Sequence, residues 1–314
     1  MNGNLSRGKL LARGKTKNIW EIPGMPGSVI IENRNDITAF DDPAFTKEFS
    51  RKAIFATQTA CNVFDLLKRF GAPVAFDRQL SETEFLAPAC QMIPLEVVAR
   101  RFAVGSFLKR CPGFQTAEGL PPFKFEKPKI EFFLKTTGGK FVRPDGEILI
   151  QGLDPLKGEE DPWIFEPHVS VWNLFHSKKP INETVEKMAL LGMVQRDDIL
   201  PPGFTDAVPR MTEILSTVFL ILETAFFRQK CRLIDMKVEF GVSSAQKLLI
   251  ADVIDNDSWR LRDWKWQELS KEKFRQGDEM SEVERAYAAV AEETESFKQI
   301  DPKRFSDLVF KSAP

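Results

Sequence analysis

Leu233-Ile234-Asp235-Met236-Lys237-Val238-Glu239-Phe240-Gly241 is the stretch whose reading decides how this chain folds. Ile234, Met236, Val238 and Phe240 alternate with Asp235, Lys237 and Glu239, and a period of two is the signature of a β-strand. One face is apolar; the other reads acid, base, acid. On an antiparallel sheet with one wet side that is an ordinary solvated face. The next strand argues for more. After the turn Ser243-Ser244-Ala245-Gln246 comes Leu248-Leu249-Ile250-Ala251-Asp252-Val253-Ile254, in which Asp252 stands alone among apolar residues. A carboxylate buried there is costly unless paired or metal-bound. Hairpin pairing would carry Asp252 toward Glu239 and Asp235, and converging carboxylates are what Mg²⁺ with nucleotide phosphates requires. Beyond that strand, Asp255-Asn256-Asp257-Ser258-Trp259-Arg260 adds acids and an arginine suited to bidentate phosphate contact. The pattern predicts a metal–phosphate site.

Two further clusters lie upstream. Arg13-Gly14-Lys15-Thr16-Lys17 invites comparison with a P-loop, but Gly8 and Gly14 enclose five residues where the motif needs four. Ile19-Trp20-Glu21-Ile22, immediately downstream, is strand text and not the helix that a P-loop opens. A Gly-Lys turn between strands can still lie over phosphates, as kinase glycine-rich loops do, or be a plain basic hairpin. In Pro94-Leu95-Glu96-Val97-Val98-Ala99-Arg100-Arg101-Phe102-Ala103-Val104-Gly105-Ser106, Arg100 ends an apolar run beside a hydroxyl and flexible backbone. From this segment alone, an anion contact and a salt-bridged strand end are equally good readings.

Around these clusters the chain alternates strand and helix text. Leu10-Leu11-Ala12, Asn18 to Ile22 and Val29-Ile30-Ile31 read as strands joined by Gly and Pro turns. Ser50 to Phe70 lacks Gly and Pro and predicts a helix stopped at Gly71. Residues 74–107 read as short β-segments interrupted by Pro88 and Pro94. Residues 111–182 read as irregular, dense in Pro and Gly. Met211 to Arg228 predicts a helix apolar nearly all round and therefore buried. Strands are expected at 232–241 and 247–254, and an acidic amphipathic helix at about Glu279 to Phe297.

Composition narrows the function class. The 44 Lys+Arg against 45 Asp+Glu leave a formal net charge of −1, which argues against duplex nucleic acid as a partner. Cys61, Cys90, Cys111 and Cys231 form no CxxC pair, and His168 and His176 are the only histidines. A Cys/His zinc site is excluded, and isolated cysteines point to a reducing, cytoplasmic setting. No apolar leader opens the chain, and Val218 to Leu222 falls far short of the roughly 20 residues a membrane span needs. The expectation is a soluble protein without a membrane partner, and a homo-oligomer is left open. The aromatic inventory is lopsided: 27 Phe, 6 Trp and 1 Tyr.

Taken together, these residues resemble the SAICAR synthetase family (phosphoribosylaminoimidazole-succinocarboxamide synthase) of purine biosynthesis. The resemblance rests on Gly14-Lys15-Thr16-Lys17, Arg34-Asn35-Asp36-Ile37-Thr38-Ala39, Pro94 to Arg100 with Gly105-Ser106, Asp235 to Gly241, Asp252 to Arg260, and Lys271-Glu272-Lys273-Phe274-Arg275-Gln276, all in order. The wording of Val253 to Arg260 is most similar to the animal-type synthetase domain. The resemblance implies an α+β fold, with a kinase-like N-terminal antiparallel β-sheet lobe (1–95) and a larger α+β lobe (96–314) holding ATP in the cleft. It also marks an insertion at about 136–182.

The implied reaction joins L-aspartate to the carboxylate of CAIR, the carboxyaminoimidazole ribotide, using ATP and yielding SAICAR, ADP and phosphate. By the match, Gly14, Lys15, Lys17, Met92, Lys135 and Glu239 serve the nucleotide. Glu239 and Asp252 hold Mg²⁺, and Arg100, Ser106, Arg260, Lys271 and Arg275 bind CAIR. Lys237, Asp235 and Asp257 stand nearest the chemistry. A carboxylate is a poor acyl acceptor, so ATP must first make it an acyl phosphate; that step needs charge neutralisation and positioning more than histidine acid–base groups. Family members carry acids directly after the lysine matched by Lys135, where this chain has Thr136-Thr137. The family's next Asp-Pro matches either Asp154-Pro155 or Asp161-Pro162. Two rival readings are a small-molecule kinase of the inositol-phosphate type, on the strength of Asp235-Met236-Lys237, and an inactive nucleotide-binding homologue.

Overall fold

The computed structural model describes residues 5–38, 46–143, 145–180 and 190–304. Ala39 of the Arg34 to Ala39 motif, and residues 144 and 181–182 of the expected insertion, lie outside them. The chain divides into two compact units: residues 1–91, 220–233 and 241–314, and residues 92–219 with 234–240.

In the first unit, β1 (Leu10–Arg13), β2 (Lys17–Glu21) and β3 (Ser28–Asn33) form the expected antiparallel meander. A small pair, β4 (Asp36–Thr38) and β5 (Thr46–Glu48), precedes α1 (Lys52–Arg69). β6 (Arg78–Gln79) and β7 (Glu84–Pro88) then complete a five-stranded sheet of order β1-β2-β3-β7-β6. The helix forms because 18 residues without Gly or Pro place Ala53, Ala56, Ala60, Val63, Phe64 and Leu67 in the core. Lys68 and Arg69 complement the dipole of its last turn, and Gly71, at φ +76°, ends it.

The second unit is built on β8 (Cys90–Phe102), which the sequence reading broke at Pro94. The strand runs through that proline because pairing with the next strand starts only at Leu95; Pro94 sits at the ladder's end, its carbonyl accepting from Lys135 N–H at 2.9 Å. After the short α2 (Ser106–Arg110) comes β9 (Lys124–Leu134). The irregular reading of 111–182 missed this 11-residue strand. Its Pro128 is absorbed where the register against β8 shifts between Arg100 and Phe102. β10 (Phe141–Val142) and β11 (Ile148–Ile150) form a hairpin of their own. β12 (Trp163–Phe165), β13 (Val171–Phe175) and β14 (Leu190–Gln195) extend the sheet, followed by α3 (Arg196–Ile199).

α4 (Ala207–Arg228) buries Val208, Met211, Leu215, Val218, Phe219, Leu222 and Phe226, as its all-round apolar text predicts. It starts four residues earlier than expected, because Pro209 falls in the first turn, where its missing N–H is not needed. β15 (Cys231–Ser243) carries the opening stretch, and the larger sheet runs β14-β13-β12-β9-β8-β15. β16 (Leu248–Ile250) and β17 (Trp259–Asp263) both pair with β15. α5 (Glu272–Gln276) and α6 (Met280–Glu295) close the first unit, and α6 packs on α1. Antiparallel sheets with separate helices make this an α+β fold. Among the described residues no helix is long and apolar enough to cross a membrane.

Candidate functional site

The predicted residues fall into two groups, one in each unit. In the second unit the polar face of β15 is a paired face, solvated only in part. Asp235 is buried at 4% exposure, Lys237 is exposed and Glu239 is half-buried, and each takes a partner of opposite charge. Arg100 Nη1 donates to Asp235 Oδ2 at 2.6 Å, Lys237 Nζ donates to Glu96 Oε2 at 2.7 Å, and Lys135 Nζ donates to Glu239 Oε1. Alternation therefore placed the charges correctly, but β8 and the end of β9, distant in sequence, decide their environment.

Arg100 is the centre of a buried network that the sequence did not reveal. Its Nε donates to Glu131 Oε2 at 2.5 Å and its Nη2 to Ser106 Oγ at 3.2 Å. Glu131 is shared: Arg110 Nη2 donates to its other oxygen, and Arg110 Nη1 donates to the Ser177 carbonyl. Burial alone would push the Glu131 carboxyl up, but the charges and hydrogen bonds of Arg100 and Arg110 outweigh it and hold the group below its usual range. Gly105, at φ +59° and ψ −132°, turns the backbone so that Ser106 faces Arg100; this is glycine's territory. Arg100 and Ser106 were expected together on an anion, and they are together. Arg110 and Glu131 carry no local signal: β8–β9 pairing sets Glu131 opposite Val98, near Arg100, and α2 brings Arg110 to its other oxygen.

In the loop after Lys135 the two Asp-Pro candidates have different surroundings. Thr136 N–H donates to Asp161 Oδ1 at 2.8 Å, and Asp161 N–H donates back to Thr136 Oγ1 at 3.2 Å. Gly139 N–H donates to Glu160 Oε1 at 2.8 Å. Asp154 instead caps its own short turn, accepting from Leu156 N–H at 2.9 Å and pairing with Lys157. Two acids, Glu160 and Asp161, thus stand beside Thr136 to Gly139. Met92, 42% exposed, lies two residues along β8 from Cys90, which packs so closely on Gly241 that a Cβ there would come within 2.7 Å of it.

In the first unit, Gly14 N–H closes the β1–β2 turn on the Lys17 carbonyl at 2.8 Å, leaving Lys15 exposed. Lys17 Nζ donates to Asp252 Oδ1. Asp252 does not lie in a strand: β16 ends at Ile250, and the carboxylate, with 34% side-chain exposure, sits in the bend beyond it. The expected burial of Asp252 is therefore corrected, and its lysine partner supplies the compensation. Among the described residues no three His, Cys, Asp or Glu side chains converge as a metal site.

Asp257 is the second centre of this unit. Its Oδ2 accepts from Lys52 Nζ at 3.3 Å and Lys271 Nζ at 3.4 Å, and its Oδ1 accepts from the hydroxyl of Tyr287. Burial would raise the Asp257 carboxyl, yet Lys271, Lys52 and Tyr287 prevail and hold it far below the usual range. Its neighbour Asp255 goes the other way, raised to about 6 by burial first and the charge of Asp257 second. Arg260 and Arg275 both pair with Glu272, at 3.3 and 2.9 Å, next to Lys271. The late basic motif and the Asp257 segment do meet, and α5 is what aligns them.

Comparison with known proteins decides the family. The family model described as SAICAR synthetase matches residues 10–142 and 177–294. The chain belongs to the SAICAR synthetase family. A phosphoribosylaminoimidazole-succinocarboxamide synthase of Roseiflexus sp. (strain RS-1) is 31% identical over 93% of this chain and 99% of its own. The human bifunctional phosphoribosylaminoimidazole carboxylase/phosphoribosylaminoimidazole succinocarboxamide synthetase is 34% identical over 87% of this chain and 52% of its own, so the chain spans about half the length of that relative. A solved SAICAR synthetase in complex with ADP superposes with a TM-score of 0.64 at 24% identity, covering 90% of this chain and 96% of its own. The fold is thus that of SAICAR synthetases. The segment between the two matched stretches, residues 143–176, includes Glu160 and Asp161, so the acids beside Thr136 come from the part of the chain that the family pattern leaves out.

Proposed function

We propose that this chain is an ATP-dependent ligase that joins L-aspartate to the carboxylate of CAIR to give SAICAR, ADP and phosphate. The observation that carries the reading is Arg100: its three guanidinium nitrogens are distributed over Glu131, Asp235 and Ser106, so Nη2 and the Ser106 hydroxyl form a rigid donor pair. Rigid, buried donors suit a substrate phosphate or carboxylate. Arg260, Lys271 and Arg275, in the first unit, are assigned to CAIR on the family resemblance, and membership of the family supports the reaction class.

Lys15, Lys17 and Lys135 serve the nucleotide phosphates in this reading, with Gly14 shaping the turn and Met92 beside the base. The N-terminal β-rich lobe (about 1–95) is proposed to take ATP, and 96–314 to carry the metal and substrate groups. Glu239 and Asp252 each suit a magnesium ion. Both offer hard carboxylate oxygen, each takes a lysine partner, and Mg²⁺ is usually held by one or two carboxylates, with phosphates and water completing the shell. When bound, the ion would neutralise charge on the transferring phosphoryl group.

The work left to the side chains is binding and orientation. Lysines hold the phosphates in line, Arg100 and Ser106 fix the acceptor, and Lys237, held by Glu96 at 2.7 Å, stands on the β15 face ready to balance developing charge. Asp257, its carboxyl held low by Lys271, Lys52 and Tyr287, anchors these cations. Cytoplasmic placement accords with the metabolic role. Purified protein should release phosphate only when ATP, CAIR and aspartate are all present. Turnover with a polyol phosphate would favour the kinase rival, and nucleotide binding without turnover would favour the inactive homologue.

A further inference from the structure

We propose that Tyr287 is a positioning residue that holds the CAIR-binding lysine Lys271 in place through Asp257; this rests on the proposed ligase reading. The chain contains 27 Phe and a single Tyr, so its aromatic packing is done almost wholly without hydroxyl groups. That one hydroxyl lies on α6 in a side chain 1% exposed, and it reaches Asp257 Oδ1. The ring itself does what phenylalanine would do. It packs with Ile37, Phe49, Phe55, Phe274 and Val283, edge-on to Phe49 at 5.4 Å. Packing therefore accounts for the ring and leaves the hydroxyl to be explained by its partner.

The division of labour on Asp257 shows what the hydroxyl does. Oδ1 takes Tyr287; Oδ2 takes both ammonium groups, Lys52 at 3.3 Å and Lys271 at 3.4 Å. Lys52, from α1, is 1% exposed and has little room to move. Its own partner on Asp257 is therefore fixed. Without the hydroxyl, the carboxylate can turn about Cβ–Cγ, and Oδ1 can draw Lys271 away from its present direction. Asp257 is also tied by its backbone N–H to Asp255 Oδ1 at 2.8 Å, so rotation of the carboxylate is the freedom that remains. Phe274 of α5 shares the apolar cluster with Tyr287, so the same side chain anchors the segment that begins at Lys271. The charged groups around Asp257 include Lys52 from α1, Lys271 ahead of α5, Asp255 from its own loop with Lys17 acting on it, and Arg275 on α5 acting on Tyr287 at longer range.

The test is Tyr287→Phe in the full chain, which keeps the ring and removes only the oxygen. KM for CAIR should rise about tenfold, the size expected on losing a hydrogen bond to a charged group, while KM for ATP and kcat stay within about twofold. In an Asp257→Asn background the same change should add nothing, since the effect travels through Asp257. As the sole tyrosine, Tyr287 labelled with ¹³C at Cζ alone gives one resonance, which should shift in Asp257→Asn. An unchanged KM for CAIR in Tyr287→Phe, fully multiplying effects in the double variant, or an unmoved resonance overturns the proposal while wild-type turnover stands. Wild-type protein that binds no CAIR overturns the ligase reading and this one together.

Discussion

Asp161 and Thr136 bond to each other in both directions, carboxylate to amide at 2.8 Å and amide to hydroxyl at 3.2 Å. Asp161 does so from φ +50°, a conformation that costs a non-glycine residue energy and persists only where surrounding bonds hold it. The clamp arises from sheet register. Leu134 N–H bonds the Pro162 carbonyl at 3.0 Å, so the residue before Pro162 must lie against the residues after Leu134.

Asp161→Ala should lower kcat/KM about 100-fold, because releasing this loop misplaces Lys135 next to Glu239. Asp154→Ala should leave kcat/KM within about twofold, as for surface positions generally. Steady-state kinetics on the two variants decide the matter; a larger loss in Asp154→Ala would assign the family's Asp-Pro to residues 154–155. Asp161→Asn, which can still accept the Thr136 amide, separates placement from charge.

Glu131→Ala should cost about 3–5 kcal/mol in urea unfolding, the usual result of stripping one partner from a buried ionic network. Arg110 would lose the Glu131 carboxylate and Arg100 would keep Asp235. A loss below about 1 kcal/mol would mean that water enters and solvates the arginines.

Gly138 and Gly139 are neighbours, both at positive φ, and should behave differently. A Cβ on Gly138 meets nothing within 4 Å, so Gly138→Ala should cost about 1 kcal/mol, the conformational term alone. A Cβ on Gly139 would lie 2.0 Å from the Leu153 carbonyl oxygen, which is backbone and cannot swing aside. Gly139→Ala should lower the melting temperature at least twice as much, and equal losses would refute the close approach.

Asp255 gives a pH signature. Its folded value near 6 lies above that of the unfolded carboxyl, so between about pH 4 and 6 the folded state holds a proton that the unfolded state has released. That raised group makes stability fall as pH rises through this window. Asp257, shifted downward, acts in the opposite sense and lends stability that is lost only as pH drops below the ordinary carboxylate range. Melting temperatures across pH 4 to 7 should therefore decline less in Asp255→Asn than in wild type; parallel curves would show that Asp255 is ionised throughout.

Asp252→Asn should weaken the magnesium dependence of phosphate release by at least about tenfold and leave the circular dichroism spectrum unchanged, since the carboxylate is partly exposed and outside the sheet. Titration of activity against Mg²⁺ is the check, and an unaltered titration would remove Asp252 from the metal assignment.

The strands and helices that carry the site were legible because their patterns are local. Alternation marked β15, unbroken helical text marked α1 and α4, and Gly14 with Lys15 marked a hairpin turn. Where prolines punctuate the text the reading failed: Pro94 and Pro128 sit at a ladder end and at a register shift, positions that only the pairing partner reveals. Asp252 was read as a buried strand residue because nothing in a sequence says that the sheet stops at Ile250.

The sequence by itself determined the strand and helix text and the set of Lys, Arg, Asp and Glu side chains on which the chemistry is proposed to rest, because residue type and short-range periodicity are properties of neighbouring positions; the α+β class and the family followed from its ordered resemblance to SAICAR synthetases. Only the tertiary structure decided who neutralises whom: Arg100 with Glu131 and Asp235, Lys17 with Asp252, Asp161 with the backbone of Thr136, and the one tyrosine with Asp257. The cost of burying charge is settled within a few ångströms, and those ångströms are spanned by residues from 25 to 235 positions apart.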